Sequence, residues 1–402
     1  MVRMPRADPA DTRNCPRIGL LTYHRSVNDG SIMQAYCLYQ LLRREVPQAL
    51  IEIIDYMPAS LRRRHRRLAL YDFQLPFFNP RYVWTYYNQT EFLRRTCRFS
   101  TKRLISDDLE QAQRFITALG YDAIVVGSDT AWELARSPQP PNAYYRPSTT
   151  APTFAFAVSA DPAPSLDSPW YSKATELRRA LNSFQVITVR DDATREFLQT
   201  LGIAPGRIGY LPDPTLLWDF KEHLGVQKKL GSGKRPLAGL AASPRIARLL
   251  RSHLVDAGFE VVSLMGSRQL GGVISPPRFS TIQQRLALYA SLDATFSDRF
   301  HMSIFALKYG HGPVVFLEDT ARWPQPNSKG RDLLTRLCLQ EMVWRVDEHN
   351  LSPHTLHAIL AAWAHASPGL AERIAQLREE AEATGLSGIT AALKSVITSS
   401  GA

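Results

Sequence analysis

The residues with the clearest chemical potential are Arg299 and His301, which stand two positions apart in the run DRFH at 298–301. The guanidinium stays charged at ordinary pH, and the imidazole can gain or lose a proton near neutrality. The pair follows a strand-like run, 294–296, and should therefore lie at the carboxyl edge of a parallel sheet, where ligands bind. We expect both side chains, with the free N–H groups of the following helix, to hold a phosphorylated acid. The alternative is that Arg299 only pairs with Asp298 and His301 caps a turn.

Three further cations occupy comparable places. Arg190 ends the strand-like run 186–189, so a second positive charge should reach a sheet edge; the alternative is a salt bridge to the two aspartates that follow it. Lys329 and Arg331 flank a glycine in a polar loop, where they either close over an anion or simply face solvent.

Acidic and uncharged polar groups gather at the turns of the first half. Asp29, Asp129 and Asp213 each stand at a turn or a helix start, where an aspartate is either a cap or a base for a hydroxyl proton. Other polar side chains crowd the loop before the first helix and the first turn of that helix: His24, Asn28, Ser31 and Gln34.

The alternation of strand-like and helical patterns runs through both halves of the chain. At 402 residues the chain exceeds the size at which one core keeps growing, so two domains and a cleft are expected. A polar stretch near the middle divides the chain into 1–225 and 226–402, the second domain including the terminal helices. The segment 58–103, rich in arginine and aromatic residues, is interpreted as an insertion into the first domain.

The charge balance favours anionic partners. Lysine and arginine number 48 against 37 acidic residues, a net charge of +11. Much of the excess lies in 62–67 and in the arginines and lysine of 94–103. Such a tract is either a solvated helical surface or a patch for anionic lipid head groups or a phosphorylated acceptor.

The four cysteines are far apart and form no ligand pattern with histidine, so we expect neither a structural zinc, nor another metal, nor a disulfide framework. No run reaches the length of about 18 apolar residues that a membrane span needs, and the N-terminus lacks the apolar core of a signal peptide. We therefore expect a cytoplasmic protein, with peripheral contact at the inner membrane face left open.

Several short motifs occur in an order that is similar to a known family. They are IGLLTYH at 18–24, NDGS at 28–31, QAY at 34–36, YDAIVVGSD at 121–129, VRD at 189–191, DPTLL at 213–217, SDRFH at 297–301, IFAL at 304–307 and KGRDLL at 329–334. Together they resemble the polysaccharide pyruvyl transferase family over roughly residues 17–337.

The resemblance implies an α/β fold of two Rossmann-like domains facing a cleft, similar to GT-B glycosyltransferases. It implies a transferase that forms a pyruvate ketal on two sugar hydroxyls, with phosphoenolpyruvate as co-substrate and no cofactor. Donor binding carries over to Arg190, Arg299 and His301, beside which we place Lys329; we assign His301 as the acid, and Asp129 or Asp29 as the base. The expected acceptor contacts in the first domain are His24, Asn28, Ser31 and Gln34.

Departures from the family pattern lie on the acceptor side, where GSDTAWE at 127–133 replaces the usual GSDQVWN. The acceptor is expected to be a saccharide, whether or not it is lipid-linked, and nucleic acid is not expected. Two other functions stay open. One is a glycosyltransferase that uses a nucleotide sugar, and the other is a non-catalytic binder of anionic polymer built on 62–67.

Overall fold

The computed structural model describes residues 15–70, 79–134, 138–147, 150–160, 172–223, 233–265, 274, 279–347 and 352–399. The strands are β1 (Arg17–Leu21), β2 (Leu50–Met57), β3 (Phe99–Ile105), β4 (Ala123–Gly127), β5 (Thr153–Val158), β6 (Phe184–Val189), β7 (Ile208–Tyr210), β8 (Leu237–Ala241), β9 (Glu260–Ser263), β10 (Ala294–Ser297), β11 (Val314–Asp319) and β12 (Val343–Val346). The helices are α1 (Asp29–Glu45), α2 (Ala59–Leu70), α3 (Pro80–Thr96), α4 (Leu109–Thr117), α5 (Ala174–Asn182), α6 (Asp192–Thr200), α7 (Pro214–Leu217), α8 (Pro244–Asp256), α9 (Ile282–Ala287), α10 (Phe300–Tyr309), α11 (Lys329–Arg336), α12 (Pro353–Ala366), α13 (Leu370–Ala381) and α14 (Ser387–Ser399).

The first domain is built on a seven-stranded sheet with the order β3-β2-β1-β4-β5-β6-β7. Neighbouring strands run parallel throughout, and β4 and β5 are buried along their whole length, as parallel strands covered on both faces must be. The chain reverses its direction of travel across the sheet between β1 and β4. Sheets of this kind open a crevice at such a point, beyond the carboxyl ends of the strands.

The second domain is a five-stranded parallel sheet with the order β12-β11-β10-β8-β9. Its reversal lies between β8 and β10, so the residues that follow β10 face the corresponding crevice. Arg299 and His301 follow β10 directly. The expectation of an α/β fold with two Rossmann-like domains is confirmed.

The segment 58–103 is only partly an insertion. Helix α2 has no buried residue, but α3 packs on α1 with Phe92 and Leu93 in the core. The chain then forms β3, which pairs with β2 at the edge of the first sheet. The apolar signal of β3 is weak because Thr101, Lys102 and Arg103 are exposed on this edge strand. Residues 71–78 of the segment lie outside the described part of the chain.

The second domain does not keep all of its terminal helices. Helix α14 contacts β4 and β6 of the first sheet, although the second domain was expected to span 226–402. The cause is the apolar face that Ile389, Leu393 and Ile397 form at helical spacing, since these residues are buried in the core that covers that sheet. The predicted boundary at 225–226 falls within residues 224–232, which lie outside the described residues.

Candidate active site

The two domains meet where the start of α1 approaches the start of α10. Gly30 packs directly on the ring of His301, and a Cβ built on this glycine would lie 2.6 Å from the Cβ of His301 and closer still to its Cγ and Nδ1. Only a residue without a side chain permits this approach. His301 is therefore held against the first domain, although it belongs to the second.

Asp213, which follows β7, is the centre of the site. Its Oδ2 accepts a hydrogen bond from Nη1 of Arg190 and lies 3.3 Å from Nε2 of His301, while its Oδ1 accepts from the backbone N–H and hydroxyl of Thr215 at 2.9 and 2.6 Å. Burial alone would raise the pKa of Asp213, but attraction by His301 and Arg190 outweighs burial and holds that pKa well below its usual range. The carboxylate is thus ionised inside the protein and ties the two domains together.

Arg190 reaches the site as expected, but it does not face open space. Its side chain is fully buried between Asp213, Asp129 and the ring of Phe300, whose centroid lies 4.9 Å from the guanidinium carbon. The predicted alternative, a pairing with Asp191 or Asp192, is not what the structure has. Nε and Nη2 of Arg190 make no hydrogen bond with any described residue, although Nη2 lies 3.9 Å from Asp129 Oδ1. Buried N–H donors without a hydrogen-bond partner are uncommon in folded proteins.

Two more expected residues of the first domain join this cluster. Ser31 donates to Oδ2 of Asp129 at 2.7 Å, and the amide of Gln34 donates to Ser128 and, at 3.2 Å, to Asp213. The carbonyl oxygen of Gln34 is buried and has no hydrogen-bond donor among the described residues. Asp129 also accepts from the backbone N–H of Thr130 at 2.8 Å.

On the other side of the site stand the cations of the second domain. Nε of Arg299 lies 2.9 Å from Asp298, as the alternative predicted, yet 39% of the Arg299 side chain is exposed. Burial raises the pKa of Asp298, and the charge of Arg299 only partly opposes this. Lys329, half-buried at the start of α11, lies 5.7 Å from the ring centre of Phe300. Phe300 thus contacts cations of both domains.

Asp29 does not have a carboxylate that is available as a base. Arg285 of α9 donates to both of its oxygens, at 2.6 and 2.7 Å, and Gln89 of α3 donates to one of them at 2.6 Å. These three residues join the two domains instead. Asp29 is therefore engaged in a contact between the domains.

His24 and Asn28 also have structural partners. Both ring nitrogens of His24 are engaged, one with the carbonyl of Thr22 at 3.0 Å and the other with Asp55 at 3.3 Å, and the residue is buried. Asn28 accepts from the N–H of Gly30 and caps α1. His24 therefore does not line an acceptor surface, whereas Asn28 is exposed at the helix start.

Arg331 is likewise not free to close over an anion. Its guanidinium donates to Oε2 of Glu318 at 2.7 and 3.1 Å and to Oε1 at 3.2 Å, and Glu318 is fully buried. Arg345 donates to the same carboxylate. The polar loop predicted here is in fact the start of α11, where Ser328 caps the helix.

Comparison of the whole sequence with models of known protein families gives a match. A family model described as "Polysaccharide pyruvyl transferase" matches residues 28–320. The chain belongs to the polysaccharide pyruvyl transferase family. Among curated proteins, none is similar enough in sequence to count as a match.

Solved structures share the fold. The α,α-trehalose-phosphate synthase (UDP-forming) of Burkholderia vietnamiensis is 10% identical, with 96% of this chain and 99% of that chain covered and a TM-score of 0.51. Anabaena HepE, solved with UDP and glucose, is 13% identical, with 96% and 100% covered and a TM-score of 0.51. Likeness at such low identity shows the fold alone, which is the GT-B arrangement of two Rossmann-like domains.

The sequence did not point to Gly30, Phe300 or Arg285. Gly30 and Phe300 lie inside motifs that had been noticed, but their importance comes from contacts across the domain boundary. Arg285 stands in an ordinary amphipathic helix and carries no local signal. No group of three His, Cys, Asp or Glu residues is placed to hold a metal ion in the part of the chain that the structure describes.

Proposed function

We propose that this chain transfers the pyruvyl group of phosphoenolpyruvate to two hydroxyls of a saccharide and forms a pyruvate ketal. The observation that carries the proposal is the meeting of Arg190 and His301, from different domains, at Asp213. Nε and Nη2 of Arg190 are buried without a hydrogen-bond partner among the described residues, and Nε2 of His301 lies 3.3 Å from Asp213, so the cluster is suited to an anion. Family membership supports the same reaction class.

The donor is held by charge. Arg299 offers a partly exposed guanidinium at the mouth of the site, and Lys329 adds a second cation on the same side. Arg190 offers Nε and Nη2 deeper in the cluster. We assign the phosphate and carboxylate of the donor to these groups and to the N–H groups at the start of α10, which no side chain caps.

His301 supplies the proton. In the first step a proton passes from its imidazole to the methylene carbon of the donor, and one sugar hydroxyl attacks the neighbouring carbon. Asp129, held by Ser31 and Thr130, takes the proton of that hydroxyl. Phosphate then leaves, the second hydroxyl closes the ketal, and its proton departs with the phosphate. Exchange with solvent removes the proton from Asp129 and restores the one on His301. No cofactor takes part in these steps.

The acceptor belongs to the first domain in this scheme. Ser31 and Gln34 reach the site from α1, and Asn28 stands exposed at its start. The acceptor is a saccharide, and a lipid-linked form suits the basic surface described below.

The test is to incubate the purified protein with phosphoenolpyruvate and a panel of glycosides, and to measure phosphate release and the mass gain of one pyruvyl ketal. His301→Ala should lower turnover by about 10² to 10⁴ with limited loss of donor binding, whereas Arg299→Ala should lose both. His311→Ala, an exposed residue beyond the end of α10, is the matched control and should leave turnover unchanged.

Three outcomes would overturn the proposal. Wild-type turnover in the His301→Ala protein would show that His301 is not the acid. Nucleotide release from a sugar nucleotide, without phosphate release from phosphoenolpyruvate, makes the protein a glycosyltransferase. Since no step uses a metal, phosphate release should persist in excess chelator, and its loss there would contradict the scheme.

A further inference from the structure

Helices α2 and α3 form a basic and aromatic surface that the proposed reaction does not use. The two helices carry eight arginines against one glutamate. Helix α2 has no buried residue and no acidic residue in its sequence, ASLRRRHRRLAL. A surface of this composition attracts a polyanion.

The arginines of α2 share one face with an exposed leucine. Leu70 is 54% exposed and lies three and four positions after Arg67 and Arg66, so these side chains are neighbours on the helix surface. The opposite face contacts α3, where the ring of His65 lies against Tyr82 and Tyr86. Helix α2 therefore turns its charge and one large apolar side chain outward together.

The neighbouring helix α3 carries exposed aromatic side chains of its own. Trp84 and Tyr87 are 37% and 59% exposed, and their ring centres lie 6.5 Å apart. Phe279 of the second domain, 53% exposed, packs edge-on against Trp84 at 5.9 Å. Large aromatic residues next to arginines are typical of proteins that lie at the membrane–water interface.

We propose that this surface, made of Arg62, Arg66, Arg67, Leu70, Trp84, Tyr87 and Phe279, docks on an anionic lipid bilayer. The arginines bind the head groups, and the aromatic and leucine side chains enter the boundary between head groups and acyl chains. None of the helices in the described ranges is long and apolar enough to cross a bilayer, so the contact is a peripheral one.

The docking surface is close to the active site. The inner face of α3 carries Gln89, which holds Asp29, and Asp29 is followed by Gly30 on the ring of His301. The docking surface and this contact therefore lie on two faces of one helix, whose diameter with side chains is about 10 Å. A bilayer at this surface would lie beside the mouth of the site, where a saccharide on a lipid carrier could reach it.

The test uses the full chain and needs neither donor nor acceptor, so its outcome is independent of the proposed reaction. Vesicles of phosphatidylcholine with and without phosphatidylglycerol are sedimented with the protein at increasing salt. Binding should require phosphatidylglycerol and weaken as salt rises. Replacing Arg62, Arg66 and Arg67 with Gln should lower the partition coefficient about a hundredfold, since each cation near an anionic surface contributes about fivefold.

Matched controls distinguish binding through this surface from an effect of the total charge of the protein. Replacing Arg178, Arg179 and Arg248 with Gln removes three exposed charges from α5 and α8 and should leave binding nearly unchanged. Replacing Trp84 and Tyr87 with Ser should lower binding about tenfold, while Leu249→Ser with Val255→Ser, on α8, should not. Thermal unfolding confirms that each variant is folded.

The bilayer proposal is overturned if phosphatidylglycerol vesicles do not sediment the protein at low salt, or if the control set lowers binding as much as the test set. Tight, salt-sensitive binding to dextran sulfate without vesicle binding would also overturn it, and would identify the surface as a site for a soluble acidic polymer.

Discussion

At the scale of single residues, Asp213 decides how the site is held. It is an ionised carboxylate with 1% of its side chain exposed, and it is tolerated there because Arg190 and His301 face it. A buried ion pair of this kind contributes little to the free energy of unfolding by comparison with apolar packing. Loss of one partner alone is costly, because the other charge then stays buried without compensation.

The first prediction therefore concerns Asp213 and Arg190 as a pair. Asp213→Asn should lower the free energy of unfolding by about 3 to 5 kcal/mol, and Arg190→Met by a similar amount. The double variant should cost clearly less than the sum, because neither charge is then left alone. Urea unfolding of the four proteins measures this coupling.

An exposed pair provides the comparison. Arg95 and Glu91 are bonded at 2.7 Å on α3 but are 61% and 31% exposed, so their coupling energy should be about 0.3 to 0.5 kcal/mol. Strict additivity at Arg190 and Asp213 would contradict the role of the buried pair.

The sequence predicted these residues better than it predicted their partners. Arg190, His301, Ser31 and Gln34 were expected at sheet edges and do meet, because strand ends can be read from apolar runs. Which cation each carboxylate would face could not be read, since the partners come from distant parts of the chain. For this reason the expected base Asp29 turned out to be bound by Arg285.

At the scale of elements, the seating of α10 against α1 positions the imidazole. Helix α10 begins at Phe300, directly after β10, so His301 lies in its first turn and points toward the first domain. Gly30, in the first turn of α1, lets the two helix starts approach. The position of His301 thus depends on a residue with no chemistry of its own.

The second prediction is that Gly30→Ala disturbs this seating. The new methyl group would overlap the base of the His301 side chain, which cannot swing away without a backbone shift, so we expect a loss of about 1 to 3 kcal/mol. The proposed pyruvyl transfer should fall at the same time.

The control is Gly388→Ala on α14, where an added methyl group meets no atom within 4 Å. This change should stabilise the protein by about 0.5 to 1 kcal/mol because alanine favours a helix over glycine. Thermal unfolding of both variants checks the contrast. Equal effects of the two changes would show that Gly30 has no special role.

Most elements of the sheets could be predicted, and the exceptions have a common cause. The central strands carry continuous apolar runs because both faces are covered. The edge strands β3 and β12 lack such runs, and neither was expected. Three residues of β3 are exposed, and β12 alternates between half-buried and buried residues. Helix α14 was expected as a helix, but its packing on the first sheet is a property of the tertiary structure alone.

At the scale of the whole molecule, several contacts besides that of His301 hold the domains together. Asp29 pairs with Arg285, and Asn88 of α3 accepts from the first N–H of α9 at 2.9 Å. On another side Lys308 of α10 donates to the carbonyls of Thr215 and Trp218 at 2.7 and 2.6 Å. Burial lowers the pKa of Lys308 to about 8. The contacts between the two domains hold them in a closed arrangement.

The closed arrangement of the domains restricts when a ligand can reach Arg190 and Asp213. Arg190 and Asp213 are almost fully enclosed, so a donor that contacts them must enter while the domains are apart. Hinge closure around a ligand is a common motion of two-domain proteins. The contacts between the domains must then be strong enough to exclude water and weak enough to release.

The last prediction tests this opening through Arg285→Gln. The change removes two charge-assisted hydrogen bonds between the domains but leaves Gln89 on Asp29, so the first domain should stay folded. We expect faster amide hydrogen exchange at the start of α1 and in α9, and a larger radius of gyration by X-ray scattering, with the exchange of the central strands unchanged. Arg95→Gln removes an exposed ion pair within the first domain and should alter neither measurement. If Arg285→Gln exchanges and scatters as the wild type does, the pair does not hold the domains closed, and entry of the donor must be controlled elsewhere.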